Sequence, residues 1–430
     1  MTTREGASHA GMSSATMIPA VVLSSHAVGL AAIRALGVMG VPVTAMYYES
    51  QDMGFVSKYV KRRVAVPHPE RDEHEFLRTV MADADPSSRA VLIPADDATL
   101  ATVSKHKRIL ESRYTVACPD ADITEKFITK KYTYEIAARI GVRVPKTMVP
   151  RSVDDIERCA AEMRFPCLVK PCQSHRYVER FKRKMVKVAN LDEMHGEYTR
   201  AAAAGIEVMI QELIPGGDAQ GANYNSYFWN DEPLVEFTAA KVRLSPPGFG
   251  VPRVVVSKDI PEVVDLGRRV LRAMGFYGYS CMEFKKDPRD GAYTLMEVNG
   301  RHNRSGALAR RCGINFPWIE YQHLTGASLP RPRPAPEGIY WIDEFRDVVE
   351  TLRCANEERY SVADYIRPYL APHVFATYSM TDPKPFLKRC GDGMKMAAAE
   401  LVSRATRGRR RERAAATVTG VSTPTRPSTI

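Results

Sequence analysis

Residues 281–306 read CMEFKKDPRDGAYTLMEVNGRHNRSG, and the rest of the chain is best understood outward from them. Asp287-Pro288-Arg289-Asp290-Gly291 is a turn signal between two short runs of strand formers, so the stretch predicts a β-hairpin. Side chains alternate faces along a strand. Met282, Phe284, Met296 and Val298 therefore point to one face and suit a core. Glu283, Glu297 and Asn299 share the other, and closing the turn brings Glu283 across from Glu297 or diagonal to it. Two carboxylates and an amide oxygen over an apolar back make a hard-cation site. Magnesium in particular takes one or two carboxylates and completes its octahedron with water and phosphate oxygens. For an isolated hairpin, a solvated face with two ordinary glutamates is the competing reading. The rest of the chain weighs against it.

At 430 residues the chain is too long for one core, and two or three domains are expected. The net charge of +11 asks about acidic partners such as nucleotides, nucleic acid or anionic membrane. About half of that excess lies in the last forty residues, around the run Arg407-Gly-Arg409-Arg410-Arg411, which shows no apolar periodicity. Residues 1–17 are polar and also read as disordered. The eight cysteines show no C-x-x-C pair or zinc-ligand spacing, a usage that fits a reducing cytoplasm. The apolar segment 18–43 is interrupted by Ser24, Ser25, His26 and Arg34, so it reads as a βαβ unit opening a doubly wound domain, with neither secretion nor membrane insertion implied. It lacks G-x-G-x-x-G, which removes support for dinucleotide binding. Asp96-Asp97-Ala98-Thr99 reads as a helix N-cap at the carboxyl end of a strand, the end at which open α/β sheets bind ligands.

Helices are expected over 129–140, 190–205 and 260–274, the first and last ending at glycine. Strands are expected over 166–170, 208–214, 222–229 and 233–243. Lys170, directly after an apolar strand and before a proline, would project as a fixed cation of the kind that holds phosphates. Residues 173–184 read as a basic loop with interleaved aromatics. The Pro/Arg-rich segment 331–336 reads as a linker.

In this order the motifs resemble the ATP-grasp ligase superfamily, and within it the carboxylate–amine ligase group that includes D-aspartate ligase. The resemblance covers residues 18–330, about three quarters of the chain. It implies an α/β and α+β architecture: an N-terminal doubly wound pre-ATP-grasp domain over 18–125, then a two-subdomain ATP-grasp fold over 126–330. A C-terminal extension over 331–390 and a basic, disordered tail over 391–430 follow.

Residue by residue, the resemblance gives Lys130 the place of the first ATP-binding lysine, with Lys131 one register away, and Lys170 that of the second. Gln211 opens the hinge strand, where Glu212 and Ile214 would read adenine through backbone groups and Asp218 would hold the ribose. Lys241 and Arg243 match basic residues that face the terminal phosphates. Glu283, Glu297 and Asn299 match the ligands of two magnesium ions, with manganese as the alternative ion, and Arg301 matches an arginine near the transferred phosphate. Two departures stand out. The loop over the phosphates contains no glycine, and Asn299-Gly300-Arg301-His302-Asn303 lacks the proline that many relatives carry after the asparagine.

The implied reaction activates a carboxylate with ATP as an acylphosphate and joins it to an amine, releasing ADP and phosphate. The partners are then small-molecule carboxylates and amines, in the cytoplasm, with a homodimer as the class prior. The first rival is phosphoryl transfer or ligation to a non-amine acceptor, for example an enol or a hydroxyl. Nucleic-acid binding, through the basic tail, is a distant third. His175 and His302 are candidates for acid–base work, with binding or packing as the plainer role.

Overall fold

The computed structural model describes residues 17–49, 52–248, 250–331, 333–354, 360–396 and 398. Its strands form three sheets that follow one another along the chain. The first contains β1 (Ala20–Leu23), β2 (Val43–Tyr47), β3 (Val60–Ala65), β4 (Val91–Pro94) and β5 (Thr115–Val116). All pairs are parallel, in the order β3-β2-β1-β4-β5. Ala20-Val-Val-Leu23 and Val91-Leu-Ile-Pro94 are buried throughout, as uninterrupted apolar runs should be in a sheet covered on both faces. The strand order reverses between β1 and β4, so the turns after these two strands flank a crevice. Each turn opens a helix with a side-chain cap. His26 accepts from Val28 N–H at 3.3 Å, and Asp96 forms a reciprocal capping box with Thr99.

The second sheet holds β6 (Thr147–Met148), β7 (Cys167–Pro171), β8 (Val186–Val188) and β9 (Val208–Glu212), antiparallel in the order β6-β9-β7-β8. Helices Asp155–Glu162 and Leu191–Ala203 close its core through Ile156, Cys159, Met194 and Tyr198. The segment expected to be a basic loop is different: residues Ser174–Phe181 form a helix, ended by Lys182 in the left-handed region at φ 56°. Its aromatics are not loop decoration. Tyr177 and Phe181 lie four apart, their rings meet at 4.7 Å, and they turn one face of the helix into the core.

The third sheet is the largest. It contains β10 (Gly221–Trp229), β11 (Glu232–Ser245), β12 (Val251–Ser257), β13 (Gly278–Lys286), β14 (Tyr293–Asn299), β15 (Tyr340–Ile342) and β16 (His373–Phe375). The order is β14-β13-β10-β11-β12-β15-β16, antiparallel except for the last pair. Helix Pro261–Met274 lays Val263, Val270, Leu271 and Met274 against Met282, Phe284 and Val298. Residues beyond 331 add β15 and β16 to this sheet, and helix Glu344–Cys354 follows β15. A further helix covers 384–396, so the stretch expected to be disordered from 391 begins as helix. The arginine-rich run 404–413 and residues 1–16 lie outside the described residues. No helix among the described residues is long and apolar enough to cross a membrane.

Candidate active site

The hairpin of β13 and β14 closes through Asp287, whose fully buried carboxylate accepts from Arg143 at 2.8 Å and from the Arg289 backbone N–H at 3.0 Å. Arg289 holds its pKa down to about 2. With the turn fixed, Glu283 stands directly opposite Glu297, and Cys281 opposite Asn299. One part of the parity reading is corrected. The register shifts between Glu283 and Phe284, so Phe284 pairs with Leu295 and Met296 is the extra residue of a bulge. Leu295 fills the core instead, and Met296 is displaced toward the cleft. The bulge leaves Glu297 and Asn299 on the face of Glu283.

Each acid on this face meets a cation from another element. Lys130, at the first turn of helix Lys130–Arg139, reaches Glu297 Oε1 at 2.6 Å. Lys131 turns outward to Glu207 at 2.9 Å, so of the two lysines it is Lys130 that reaches the hairpin. Lys241 of β11 pairs with Glu283. Its side chain runs over Gly221, where any Cβ would collide with it. Arg301 donates to Asn299 Oδ1 at 3.1 Å and to Asp97 at 2.8 Å, joining the hairpin to the helix after β4. Burial alone would raise the Glu297 carboxyl. Lys130, Lys184 and Lys170 outweigh it and hold the group far below the usual range, fully ionised.

Two clefts meet at this pair of glutamates. The first is lined by Lys170, Gln211, Leu213, Ile214, Lys285 and Met296. Lys170 is buried there, 2.7 Å from the Tyr134 hydroxyl, 3.4 Å from Gln211 Oε1 and 3.3 Å from the Met296 carbonyl. Burial lowers its pKa against the pull of Glu297 and Glu283. The Ile214 carbonyl accepts from Lys285 Nζ at 2.9 Å. Glu212 is not in the lining; its carboxylate pairs with Arg289 at 2.8 Å and its N–H is taken by the Lys146 carbonyl. Asp218 lines the cleft, but both its oxygens are engaged, by Leu244 N–H at 2.7 Å and Gly248 N–H at 2.6 Å. In this state the expected ribose ligand instead holds the turn after β11.

Arg243 departs furthest from expectation. A register irregularity in β11 on either side of it breaks the alternation that would have set it beside Lys241. It is fully buried and donates twice to Asp347, at 2.7 and 2.8 Å, and to the Asp364 carbonyl at 2.9 Å. It ties the sheet to the C-terminal helices and does not face the phosphate end of the cleft.

The second cleft is lined from the first sheet by His26, Asp96 and Asp97 and from the hairpin side by Asn299, Arg301 and Arg304. His175 also lines it; burial pushes its pKa down, and Glu70 stands 3.3 Å away. His302 does not reach this face. It is buried against Glu320 at 2.8 Å and the Tyr279 ring at 4.4 Å, a packing role. The side-chain oxygens of Asn223 and Asn303, which also line the cleft, are buried without a donor. Tyr134 and Lys285, prominent around the first cleft, carried no motif. Tyr134 reads as one apolar position of an amphipathic helix, and Lys285 as an ordinary strand lysine.

Among the described residues no three His, Cys, Asp or Glu side chains come together as a metal set. The donors here are two carboxylates and an amide oxygen, each held by a cation. That composition fits a hard divalent ion that shares the site with phosphate oxygens, and does not fit zinc.

No protein-family model matches the chain. It is similar to the D-aspartate ligase of Enterococcus faecium, 25% identical over 257 residues that make up 56% of this chain and 61% of that protein. It is likewise similar to a D-alanine–D-alanine ligase of Pseudomonas entomophila, 25% identical over 215 residues, 44% of this chain and 60% of that one. The chain thus spans about three fifths of the length of these curated relatives. Among solved structures it is similar to a biotin carboxylase–β-γ-ATP complex from Campylobacter jejuni, with a TM-score of 0.59 at 15% identity over 74% of this chain and 73% of that one. At that identity the likeness speaks for the fold. Three sheets in this order agree with it: the chain has an ATP-grasp fold and is similar in sequence to D-aspartate and D-alanine–D-alanine ligases.

Proposed function

We propose that the protein is an ATP- and magnesium-dependent ligase that activates a carboxylate as an acylphosphate and joins it to an amine, releasing ADP and phosphate. The observation that carries this reading is the meeting of two clefts at Glu283 and Glu297, with Lys130, Lys241 and Arg301 converging on the same face. Five cations, counting Lys170 and Lys184, surround the three carboxylates Glu283, Glu297 and Asp97. This excess suits a polyphosphate.

Glu283, Glu297 and Asn299 would hold magnesium, which would supply positive charge to neutralise phosphate oxygens. The chain's own groups do the positioning. Lys170 supplies fixed charge at the base of the nucleotide cleft, where burial strengthens its field. Arg301, oriented by Asp97, is placed for the transferred phosphoryl group and the acyl oxygen next to it. Helix Ser174–Phe181 sets Ser174 and His175 into the second cleft and limits access of water to an activated acyl group. No side chain need act as covalent nucleophile, in keeping with chemistry governed by orientation and electrostatics.

The test is magnesium-dependent ADP release across a matrix of carboxylates and amines, with products identified by mass. A ligase gives release that requires both partners and a product equal to their sum less water. Release with one partner and a phosphorylated product would overturn the ligase reading in favour of phosphotransfer.

A further inference from the structure

The second cleft carries an imbalance of charge that the nucleotide and metal roles do not use. Its acids are mostly matched already. Glu297 meets Lys130, Glu283 meets Lys241, Asp97 meets Arg301 and Glu179 meets Arg71, while Asp96 caps its own helix and accepts from the Tyr48 hydroxyl. Where the loop after β14 faces helix Glu344–Cys354, the balance reverses. Asp343, fully buried, is the one carboxylate among the described residues within ion-pair distance of three guanidinium groups. Arg304 donates to it at 2.6 Å, Arg389 at 3.1 Å, and Arg346 Nε stands 3.4 Å away without hydrogen-bond geometry. Two further acids are directed elsewhere: Glu344 accepts from the Thr377 and Tyr378 backbones, and Glu350 from the Ser245 hydroxyl. Arg389 stacks on Phe345 at 4.4 Å and donates to Thr377. Arg304 and Arg346 are the pair that line the cleft, on the same wall as Arg301.

Guanidinium groups gathered around one acid repel one another unless another anion completes the set. Planar guanidinium groups bind carboxylate or phosphate through paired N–H donors, which a lysine cannot copy. We propose that the substrate seated in this cleft carries a second, non-reacting anionic group, a carboxylate or a phosphate, and that Arg346 of the C-terminal extension, with Arg304, selects for it. This assignment rests on the ligase reading for the identity of the cleft and goes beyond it in naming the substrate class: compounds with an anionic group besides the one that reacts.

The test is equilibrium binding to the full chain in the presence of magnesium and ADP, by calorimetry. The probes are aspartate, glutamate, their amides asparagine and glutamine, and O-phosphoserine, each in both enantiomers. At least one acidic compound should bind about tenfold or more tightly than its amide. Arg346→Gln should erase that preference while leaving ADP affinity within about twofold, and Arg346→Lys should restore part of it. Tighter binding of phosphoserine than of aspartate marks a phosphate, and the reverse marks a carboxylate; either supports the assignment. The absence of any preference for acid over amide, or a preference that survives Arg346→Gln, overturns it. Binding that follows this pattern without ATP-dependent product would instead count against the ligase reading alone. Arg346 is half-exposed, and thermal melting within a few degrees of the parent confirms that Arg346→Gln folds; if it does not, Arg346→Lys carries the same comparison with a smaller loss expected.

Discussion

At the scale of single residues, the site turns on which of two adjacent lysines faces inward. A sequence pattern cannot separate Lys130 from Lys131, because both begin the same helix. The structure does: the start of the helix sends Lys130 to Glu297 and Lys131 to Glu207. Lys130→Met should lower kcat/KM for ATP on the order of 10²-fold, the usual effect of removing one preorganised cation from a phosphate site. Lys131→Met, which breaks a partly exposed pair with Glu207 away from this face, should leave it within about twofold. Steady-state kinetics with ATP as the varied substrate decides this, and equal effects would contradict the assignment. The Glu283, Glu297 and Asn299 set was legible because strand parity and one turn determine it. Met296 was not, because a bulge adds a residue without marking it in the sequence. Asp218 reads as a ligand by position, yet its two oxygens are taken by backbone N–H groups that only the folded turn supplies.

At the scale of elements, the hairpin and its neighbour β10 place Gly221 under the Lys241 side chain. Its φ of −76° is open to any residue, so the demand for glycine is one of space. Gly221→Ala should displace Lys241, the flexible partner, and so lower turnover about tenfold or more while the melting temperature moves by only a few degrees. Circular dichroism and turnover measured on the same preparation check both halves, and a large loss of stability with normal specific activity would contradict it. Strongly periodic elements were readable. Helix Pro261–Met274 and strands β9, β10 and β11 lie within a few residues of their expected bounds. Helix Ser174–Phe181 was missed because eight residues are too few to show a period. Only its packing against the second sheet reveals that Tyr177 and Phe181 form its inner face.

At the scale of the whole molecule, the C-terminal residues add two strands to the third sheet and bring Arg346 to the second cleft. Arg243 ties these residues to the sheet. Its pairing with Asp347 spans more than a hundred residues of chain, a contact no local pattern could carry. Arg243→Met leaves a buried Asp347 short of its main partner, with Arg253 at 3.5 Å and the Tyr369 hydroxyl remaining among the described residues. It should cost about 3 kcal/mol in denaturant unfolding and leave the KM for ATP unchanged. A stable variant with a raised KM would return Arg243 to the phosphates. The central claim is that a substrate carboxylate, activated over the Glu283–Glu297 face, loses one of its oxygens. Turnover of a carboxylate labelled with ¹⁸O, followed by mass analysis of the released phosphate, tests this directly. The account predicts one labelled oxygen in each phosphate, and on the order of 10²-fold slower release in Glu297→Gln. Phosphate free of label, at undiminished turnover, would contradict it.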